Sequence, residues 1–427
     1  MQDTDRRRLK NILGGSAGNL VEWFDWYVYS AFALYFAHAF FPKGDPTAQL
    51  LQTSAIFAVG FVVRPIGAWA MGIYADRKGR KAGLTLSVSL MCLGSLMIAV
   101  APTYAQAGIW SPGVLLAARL IQGLSLGGEY GASATYLSEI ADRGRRGFWS
   151  SFQYVTIIGG QLCALALLVV LQLTLGEQAM DEWGWRIGFA AGAVLAVVVF
   201  ILRRRLDETL SYENARARPD RVRSTATNLF RDHPSEAFLV IALTAGGTAA
   251  FYAYTIYLQK FLANTSGFDK ATASQIMTAA LACMLVLQPF AGRLSDRIGR
   301  RPMMIFFGVG AMLFTYPIFS TLEGVRTVGA AFALCMASLI IITGYTSINA
   351  IIKAELFPAH IRALGVALPF AIANAIFGGT AEYVALYLKG AGHERWFYIY
   401  ISVLAGISLI AYVRMRETRT TSLIEED

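Results

Sequence analysis

The chain has few charged residues and few cysteines for its length. Of its 427 residues, 15% are Asp, Glu, Lys or Arg, whereas a soluble domain carries about 25%. The four cysteines fall within apolar stretches and lack metal-ligand spacing, so they indicate neither a metal site nor a disulfide framework. The sequence also offers no nucleophile–base set and no cluster of metal ligands. We therefore expect no enzyme activity, no metal and no cofactor.

Apolar residues make up 56% of the chain and are spread along its whole length. They form recurring stretches of about 20 residues, the length of a helix that crosses the roughly 30 Å hydrocarbon core of a membrane. The sequence thus predicts an all-α integral membrane protein with twelve transmembrane helices in two six-helix halves. The predicted spans are residues 17–40, 50–74, 84–101, 114–137, 148–173, 185–202, 237–259, 271–292, 303–321, 328–352, 364–388 and 396–413.

The net charge of +9 follows membrane topology and does not indicate a nucleic-acid partner. Most of the 37 lysines and arginines lie outside the predicted spans, on the side of the membrane that holds the N-terminus. This is the positive-inside pattern, which predicts that both termini are cytoplasmic. The first span contains Glu22 and Asp25 and is too long for a signal peptide, so we expect it to remain as the first helix.

A polar stretch separates the two halves. Residues 203–236 are rich in arginine and contain Pro219, a composition that predicts an exposed cytoplasmic linker. Its basic side chains would also be drawn to anionic lipid head groups. The predicted units are residues 1–202, the linker 203–236, residues 237–413 and a cytoplasmic tail at 414–427.

A basic loop occurs twice, each time after the second helix of a half. Gly72–Lys81 reads GIYADRKGRK and Gly292–Arg301 reads GRLSDRIGRR. Glycine permits a tight reversal, the aspartate can accept from a helix N-terminus, and the arginines can reach carboxylates across the bundle. Such contacts would hold one conformation closed, whereas the alternative is a plain positive-inside loop. The predicted gating residues are Gly72, Asp76, Arg77, Gly79, Arg80, Gly292, Asp296, Arg297, Gly299 and Arg300.

These loops resemble the signature of the major facilitator superfamily, and the resemblance covers essentially the whole chain. Gly18–Tyr27 (GNLVEWFDWY), Arg64–Gly67 (RPIG) and Arg119–Tyr130 (RLIQGLSLGGEY) resemble the metabolite:proton symporter branch. The resemblance implies the major facilitator fold in a bacterial inner membrane. It also implies a small anionic substrate and protons as partners, contact with membrane lipid, and action as a monomer.

Two further stretches resemble α-ketoglutarate carriers within that branch. They are Ser151–Gln161 and Ala373–Leu386. The resemblance therefore implies proton-coupled import of α-ketoglutarate by alternating access. Citrate, another dicarboxylate, shikimate or a zwitterionic osmolyte are alternative cargoes. A transporter-like solute sensor is another alternative, against which the two intact loops argue.

Charged residues inside the spans are the candidate machinery, because each costs about 2.5–3.5 kcal/mol on insertion scales. Glu22 and Asp25 are three residues apart and share one face of the first helix. Two nearby carboxylates in a low dielectric rarely both stay ionised, which favours a proton carrier here, with Asp25 preferred. The resemblance implies that Arg119 faces Asp25, although a permanent ion pair would be structural. The predicted proton-coupling residues are Asp25, Glu22 and Arg119.

Arg64 is the first candidate for substrate binding. It lies near mid-span without a sequence-local partner, and a guanidinium can bind a carboxylate through two parallel hydrogen bonds. A dicarboxylate then needs a second cation or several neutral donors, although such polar residues could instead join helices. The predicted substrate-binding residues are Arg64, Arg119, Gln153, Tyr154, Gln161, Tyr252, Tyr254 and Asn374. The tasks of Glu129 and Glu382 stay open.

Overall fold

A computed structural model describes residues 19–78, 80–126, 134–135, 137–138, 141, 143–204, 226–358 and 361–424. Over these residues the chain is helical apart from short connections, and no strand occurs among them. Helices satisfy their own backbone hydrogen bonds, which a chain inside hydrocarbon requires. Eight of the described helical stretches have the length and composition of a membrane span, and one of these, Arg146–Ile201, contains two helices.

Six long helices form the first half. They are α1 (residues 19–31 and Ala33–Phe40), α2 (Pro46–Val62 and Arg64–Lys78), α3 (Arg80–Ala99), α4 (Trp110–Leu126), α5 (Arg146–Ala179) and α6 (Trp185–Arg204). The boundary between α5 and α6 follows Gly176, whose φ of 76° is not helical. Glycine adopts such a conformation without a steric penalty, which allows the chain to reverse there.

Six more form the second half. They are α7 (Pro234–Tyr252, a π-helical turn at Ala253–Tyr257, and Leu258–Asn264), α8 (Lys270–Ile298), α9 (Arg300–Leu322), α10 (Val328–Thr346 and Asn349–Glu355), α11 (Arg362–Ala373, a π-helical turn at Asn374–Gly378, and Ala381–Gly390) and α12 (Glu394–Arg414). A short helix, Ala226–Asp232, precedes α7. The predicted linker 203–236 is therefore partly helical, and its residues 205–225 lie outside the described part.

Helix α7 differs from its predicted span in a way that matters for function. The prediction ended the span at Gln259, whereas α7 continues to Asn264 and includes Lys260. Lys260 is fully buried, and the apolar residues Phe261 and Leu262 that follow are buried as well. The charge of Lys260 ended the predicted span early because hydropathy cannot account for a partner elsewhere in the chain.

The two halves meet along a shared interface. α5 packs against α8, and α2 packs against α11. Gly147 and Gly292 allow the first of these contacts, because a Cβ on either glycine would collide with the backbone of the other helix. We call the end of the bundle that holds Gly147 and Gly292 the linker end, and the end that holds the first residues of α2 and α8 the distal end.

Candidate functional site

A buried polar network surrounds Asp25 in the middle of the first half. Asp25 lies on α1 and is 0% exposed. Ser95 of α3 donates a short hydrogen bond to its Oδ1, and Gln122 of α4 donates to its Oδ2 over 2.8 Å. Gly192 of α6 leaves room for this carboxylate, since a Cβ there would collide with Oδ1. Asp25 is thus held by side chains from two neighbouring helices.

Gln122 also connects Asp25 to Arg119. Its Oε1 accepts from Arg119 Nη1 over 2.8 Å, while its Nε2 donates to Asp25 Oδ2. Asp25 and Arg119 form no direct ion pair in the described part of the chain, so the predicted partnership runs through the amide. A change in the charge of Asp25 would therefore reach Arg119 by reorienting or releasing Gln122.

Arg64 and Arg119 share an aromatic ring. Their guanidinium carbons lie 4.0 Å and 3.7 Å from the Trp26 ring centroid. Phe61 lies 4.0 Å from the Arg64 guanidinium, and Tyr29 lies 4.4 Å from that of Arg119. Cation–π contacts stabilise a guanidinium inside a protein while leaving its N–H groups available in the plane. We call Arg64, Arg119 and Trp26 the arginine cluster.

The arginine cluster has unused hydrogen-bonding capacity. Within the described part of the chain, Nε and Nη2 of Arg64 are buried without a hydrogen-bond partner, and the same holds for Nε and Nη2 of Arg119. Buried donors without an acceptor are costly, so such groups in a native structure require an explanation. A carboxylate ligand would supply acceptors in the geometry that a guanidinium prefers.

The second half contributes polar groups to the same place. Tyr252 of α7 lies next to Arg64, Tyr27 and Asn374, and its ring centroid is 5.2 Å from that of Phe61. Asn374 begins the π-helical turn of α11 and accepts a short hydrogen bond from the Thr248 hydroxyl. Arg64, Tyr252 and Asn374, three of the predicted substrate-binding residues, are therefore brought together across the interface.

The other predicted binding residues have different surroundings. Gln161 of α5 donates to the carbonyl of Thr255 over 2.5 Å, which joins the halves. Gln153 is buried in α5, and the Tyr154 ring packs against Phe251 at 5.5 Å between centroids. Tyr254 instead shares a short hydrogen bond with Thr315 of α9 and lies away from the arginine cluster.

The centre of the bundle is tightly closed in this conformation. A cavity of about 10 Å³ lies there, which is roughly the space of one water molecule. Its lining comes from both halves and consists of Tyr27, Ser30, Ala31, Gln161, Leu165, Thr255, Ile256 and Gln259. A small dicarboxylate would require the surrounding helices to move apart.

The linker end is closed by the second copy of the basic loop. Asp296 accepts from the backbone N–H groups of Gly147 and Phe148, over 2.8 and 2.9 Å, at the beginning of α5. Arg300 donates to the same aspartate over 2.8 Å and lies 3.7 Å from Glu355 of α10. A carboxylate at a helix N-terminus is favoured by the unpaired N–H groups and the helix dipole there.

The remaining loop residues divide into two groups. Gly292 lies at the contact with α5, Gly299 has a φ of 103° between α8 and α9, and the Arg297 carbonyl accepts from Arg419. In the first copy, Gly79 and the side chains of Asp76, Arg77 and Arg80 lie outside the described residues, as does the surrounding of Gly72. The described part therefore locates gating contacts for the second copy alone.

The C-terminal tail crosses the linker end and connects the halves. Glu417 accepts from the backbone N–H groups of Arg300 and Arg301, over 2.8 and 3.0 Å, and so caps α9. Arg146 of the first half donates to the Ile424 carbonyl over 3.2 Å, while Arg362 of the second donates to that of Leu423 over 2.9 Å.

Sequence reasoning missed three buried polar residues that the structure places in these networks. Gln122 and Ser95 hold Asp25, and Lys260 pairs with Glu382, whose task was open. Gln122 follows Arg119 by three residues and so shares its helix face, a signal that could have identified it. Lys260 sits within an apolar run, which would have marked it as an ionisable group inside the membrane. Glu22 is buried on α1, and Glu129 lies outside the described residues.

Comparison with known protein families and curated proteins gives consistent results. The family described as Sugar (and other) transporter matches the chain twice, over residues 12–232 and 213–427. Alpha-ketoglutarate permease of Escherichia coli K12 is 55% identical over 406 residues, which cover 95% of this chain and 93% of that protein. The citrate-proton symporter of Salmonella typhi is 32% identical over 416 residues, with 96% and 94% covered.

Solved structures show the same fold. The proton:xylose symporter XylE bound to 6-bromo-6-deoxy-D-glucose superimposes with a TM-score of 0.75 at 18% identity, covering 97% of each chain. A partially occluded inward-open conformation of the Escherichia coli xylose transporter XylE gives 0.72 at 17% identity, covering 93% of this chain and 97% of the other. The predicted twelve-helix major facilitator fold is confirmed.

Proposed function

The chain belongs to the Sugar (and other) transporter family of the major facilitator superfamily, and on that basis we propose that it imports α-ketoglutarate together with protons. The observation that carries this proposal is that two N–H nitrogens of Arg64, buried at the interface between the halves, have no hydrogen-bond partner among the described residues. A carboxylate of the substrate binds there, with Tyr252 and Asn374 as neighbouring polar groups. The 55% identity to a protein named alpha-ketoglutarate permease supports this choice of cargo.

Asp25 carries the coupled proton in this proposal. Its carboxylate is buried and connects through Gln122 to Arg119. Loss or gain of a proton at Asp25 changes the charge balance around both arginines, and substrate binding then favours one of two conformations. Each charge that crosses the membrane is worth about 2.3 kcal/mol per 100 mV, so protons offset the unfavourable entry of a dianion into a negative interior. Glu22 is a second candidate for the same role.

Alternating access follows from contacts at the two ends of the bundle. At the linker end, Asp296 and Arg300 hold α8 against α5, and these contacts break when that end opens. At the distal end, Lys270 of α8 lies 2.8 Å from Asp181 in the π-helical turn Met180–Gly184, which precedes α6. We place the linker end and both termini in the cytoplasm, because the basic residues concentrate there. The protein acts as a monomer and contacts anionic lipid through its basic linker.

A related cargo is the second candidate. The 32% identity to a citrate-proton symporter supports a tricarboxylate, for which a cationic site is also needed. Competition of labelled α-ketoglutarate uptake by citrate, succinate, shikimate and betaine separates these cargoes. A solute sensor would bind the same compounds without accumulating them.

Uptake of radiolabelled α-ketoglutarate into proteoliposomes under an imposed pH gradient tests the proposal. We expect accumulation that requires a more acidic exterior and that a protonophore abolishes. Binding without gradient-dependent accumulation would contradict symport.

A further inference from the structure

A buried ion pair joins α7 and α11 of the second half at their interface with α1 of the first half. Lys260 Nζ of α7 lies 2.9 Å from Glu382 Oε1 of α11, and the two side chains are 0% and 4% exposed. The ammonium also donates to Ser30 Oγ of α1 over 2.7 Å, and that hydroxyl lies 3.5 Å from Glu382 Oε2. Three side chains from both halves thus meet at the interface that alternating access must rearrange.

Stability alone does not explain this pair. Burying two charges costs several kcal/mol per ion, and well-packed apolar residues in their place are often neutral or stabilising. α7 and α11 are already joined near their middles by the hydrogen bond between Thr248 and Asn374. A charged pair at such a position therefore calls for a role beyond holding the helices together.

The hydroxyl partner of Lys260, Ser30, lines the small central cavity together with Tyr27, which is a neighbour of Tyr252. Ser30 follows Tyr27 by about one helical turn on α1, and both residues line that cavity. Lys260 lies eight residues beyond Tyr252, the neighbour of Arg64, which is about 12 Å along the helix axis. Because lysine and arginine have long side chains, the two cationic groups can approach the opposite ends of one short dicarboxylate.

We propose that Lys260 binds the second carboxylate of the substrate, and that Glu382 is an internal competitor which the substrate displaces. This inference rests on the proposed function, in which Arg64 binds the first carboxylate. Glu382 neutralises the ammonium in the conformation described here. An ammonium is a compact charge with three rotatable donors, so it can exchange one carboxylate for another without a change in backbone structure. Lys260 thereby selects dianions over monoanions of the same length.

The double variant Lys260→Met/Glu382→Gln tests this selection, because it removes both charges and leaves neither partner buried alone. Exchange of labelled α-ketoglutarate is measured in proteoliposomes without a gradient, with α-ketoglutarate or 2-oxopentanoate as competitor. 2-Oxopentanoate has a methyl group in place of the distal carboxylate. We expect the apparent affinity for α-ketoglutarate to fall about tenfold or more, whereas inhibition by 2-oxopentanoate stays as in the wild type.

The Lys389→Met/Glu394→Gln variant is the matched control. It removes a lysine–glutamate pair, separated by 3.7 Å, at the distal end, outside the proposed site. We expect its affinity for both compounds to equal that of the wild type. An unchanged preference in the Lys260 variant, or an equal loss for both compounds, would overturn the inference and leave the proposed function standing. A wild-type protein that exchanges no α-ketoglutarate would overturn both.

The single variant Glu382→Gln tests whether Glu382 competes with α-ketoglutarate for Lys260. If Glu382 competes with the substrate, its neutral replacement leaves Lys260 available and raises the affinity for α-ketoglutarate above the wild-type value. A purely structural pair predicts the opposite, because the variant leaves a buried ammonium without its counter-ion. A decrease in affinity in folded protein, checked by size-exclusion chromatography, would therefore contradict the proposal.

Discussion

Arg64 and Arg119 in the first half and Lys260 in the second half are buried cations with different surroundings. In the first half, Arg64 and Arg119 pack against the Trp26 ring, and among the described residues two buried nitrogens of each have no hydrogen-bond partner. In the second half, Lys260 has both a carboxylate and a hydroxyl within 2.9 Å. Arg64 and Arg119 thus have N–H donors available for a ligand, whereas Lys260 already has an acceptor in Glu382 of the same half.

This difference bears on the site that we propose for a dianion. Aromatic rings stabilise the arginines by contacts that a substrate carboxylate need not break, because it approaches the N–H edge instead of the face. In the part of the chain that the structure describes, no aromatic ring lies over the Lys260 ammonium, which is a strongly hydrated point charge. A counter-ion such as Glu382 therefore stabilises the charged form of Lys260 inside the bundle.

The largest expected effect comes from Arg64→Lys, which replaces the buried guanidinium of the first half by an ammonium such as that of Lys260. Lysine keeps the charge and loses the planar pair of donors. We expect the apparent KM for α-ketoglutarate exchange to rise about 10- to 100-fold, since hydrogen bonds to charged groups are worth about 1.5–3 kcal/mol. The measurement is concentration-dependent exchange in proteoliposomes.

Arg395→Lys is the control for this substitution. Arg395 also offers two N–H donors to a carboxylate, Glu323, but it is exposed. Its replacement is expected to leave exchange unchanged. A wild-type KM in Arg64→Lys would show that Arg64 does not bind the substrate. The contrast drawn between Arg64 and Lys260 would then have no bearing on substrate binding.

Gln122→Leu has an intermediate effect, because it removes the amide that connects Asp25 with Arg119. Asp25 keeps the bond from Ser95, while Arg119 loses its acceptor. We expect proton-driven uptake to fall about tenfold and the free energy of unfolding to fall by about 1–2 kcal/mol, as for other hydrogen bonds between membrane helices.

The matched control is Gln288→Leu, at a buried glutamine that bonds to Thr346 within the second half. It should show a similar loss of thermal stability with normal coupling. Equal loss of coupling in both variants would indicate a general packing defect instead of a specific bridge at Gln122.

The smallest effect on stability is expected at the solvent-accessible ion pair Glu323–Arg395. This pair shows how much an ion pair in contact with water contributes, for comparison with the buried pair. The hydrogen bond from Arg395 lowers the pKa of Glu323 below its ordinary 4.5. The pair therefore stabilises the fold above that value and ceases to do so as the pH falls through the lowered pKa. Glu323→Gln should lower Tm by about 1–2 °C at most at neutral pH, with the difference vanishing below pH 4.5 in thermal scans. A larger neutral-pH loss would make the exposed pair comparable to the buried one.

Sequence patterns were sufficient for the architecture. Runs of apolar residues predict the helices because hydrocarbon requires both length and internal hydrogen bonding. The exception is α7, where Lys260 interrupts the hydropathy and its partner Glu382 lies 122 residues away in the sequence. No local pattern reports such a pairing.

The site was predictable in part, for a related reason. Asp25, Arg64 and Arg119 were candidates because a charge in an apolar span is costly and therefore indicates a functional role. Tyr252 and Tyr254 were both candidates, yet residues two apart on a helix do not face the same side. Tyr252 lies beside Arg64 and Tyr254 contacts α9. Which tyrosine faces the interface depends on the orientation of α7, which only tertiary packing fixes.

Asp25→Asn tests the central claim most directly, when exchange and uphill uptake are measured in the same proteoliposomes. Asparagine keeps the size of the side chain and cannot carry the proton between states. A pH gradient of one unit is worth about 1.4 kcal/mol for each proton, or about tenfold accumulation. If Asp25 carries the coupled proton, the variant exchanges α-ketoglutarate near the wild-type rate and does not accumulate it. Accumulation equal to that of the wild type would contradict this role, because Asp25 would then have no part in coupling.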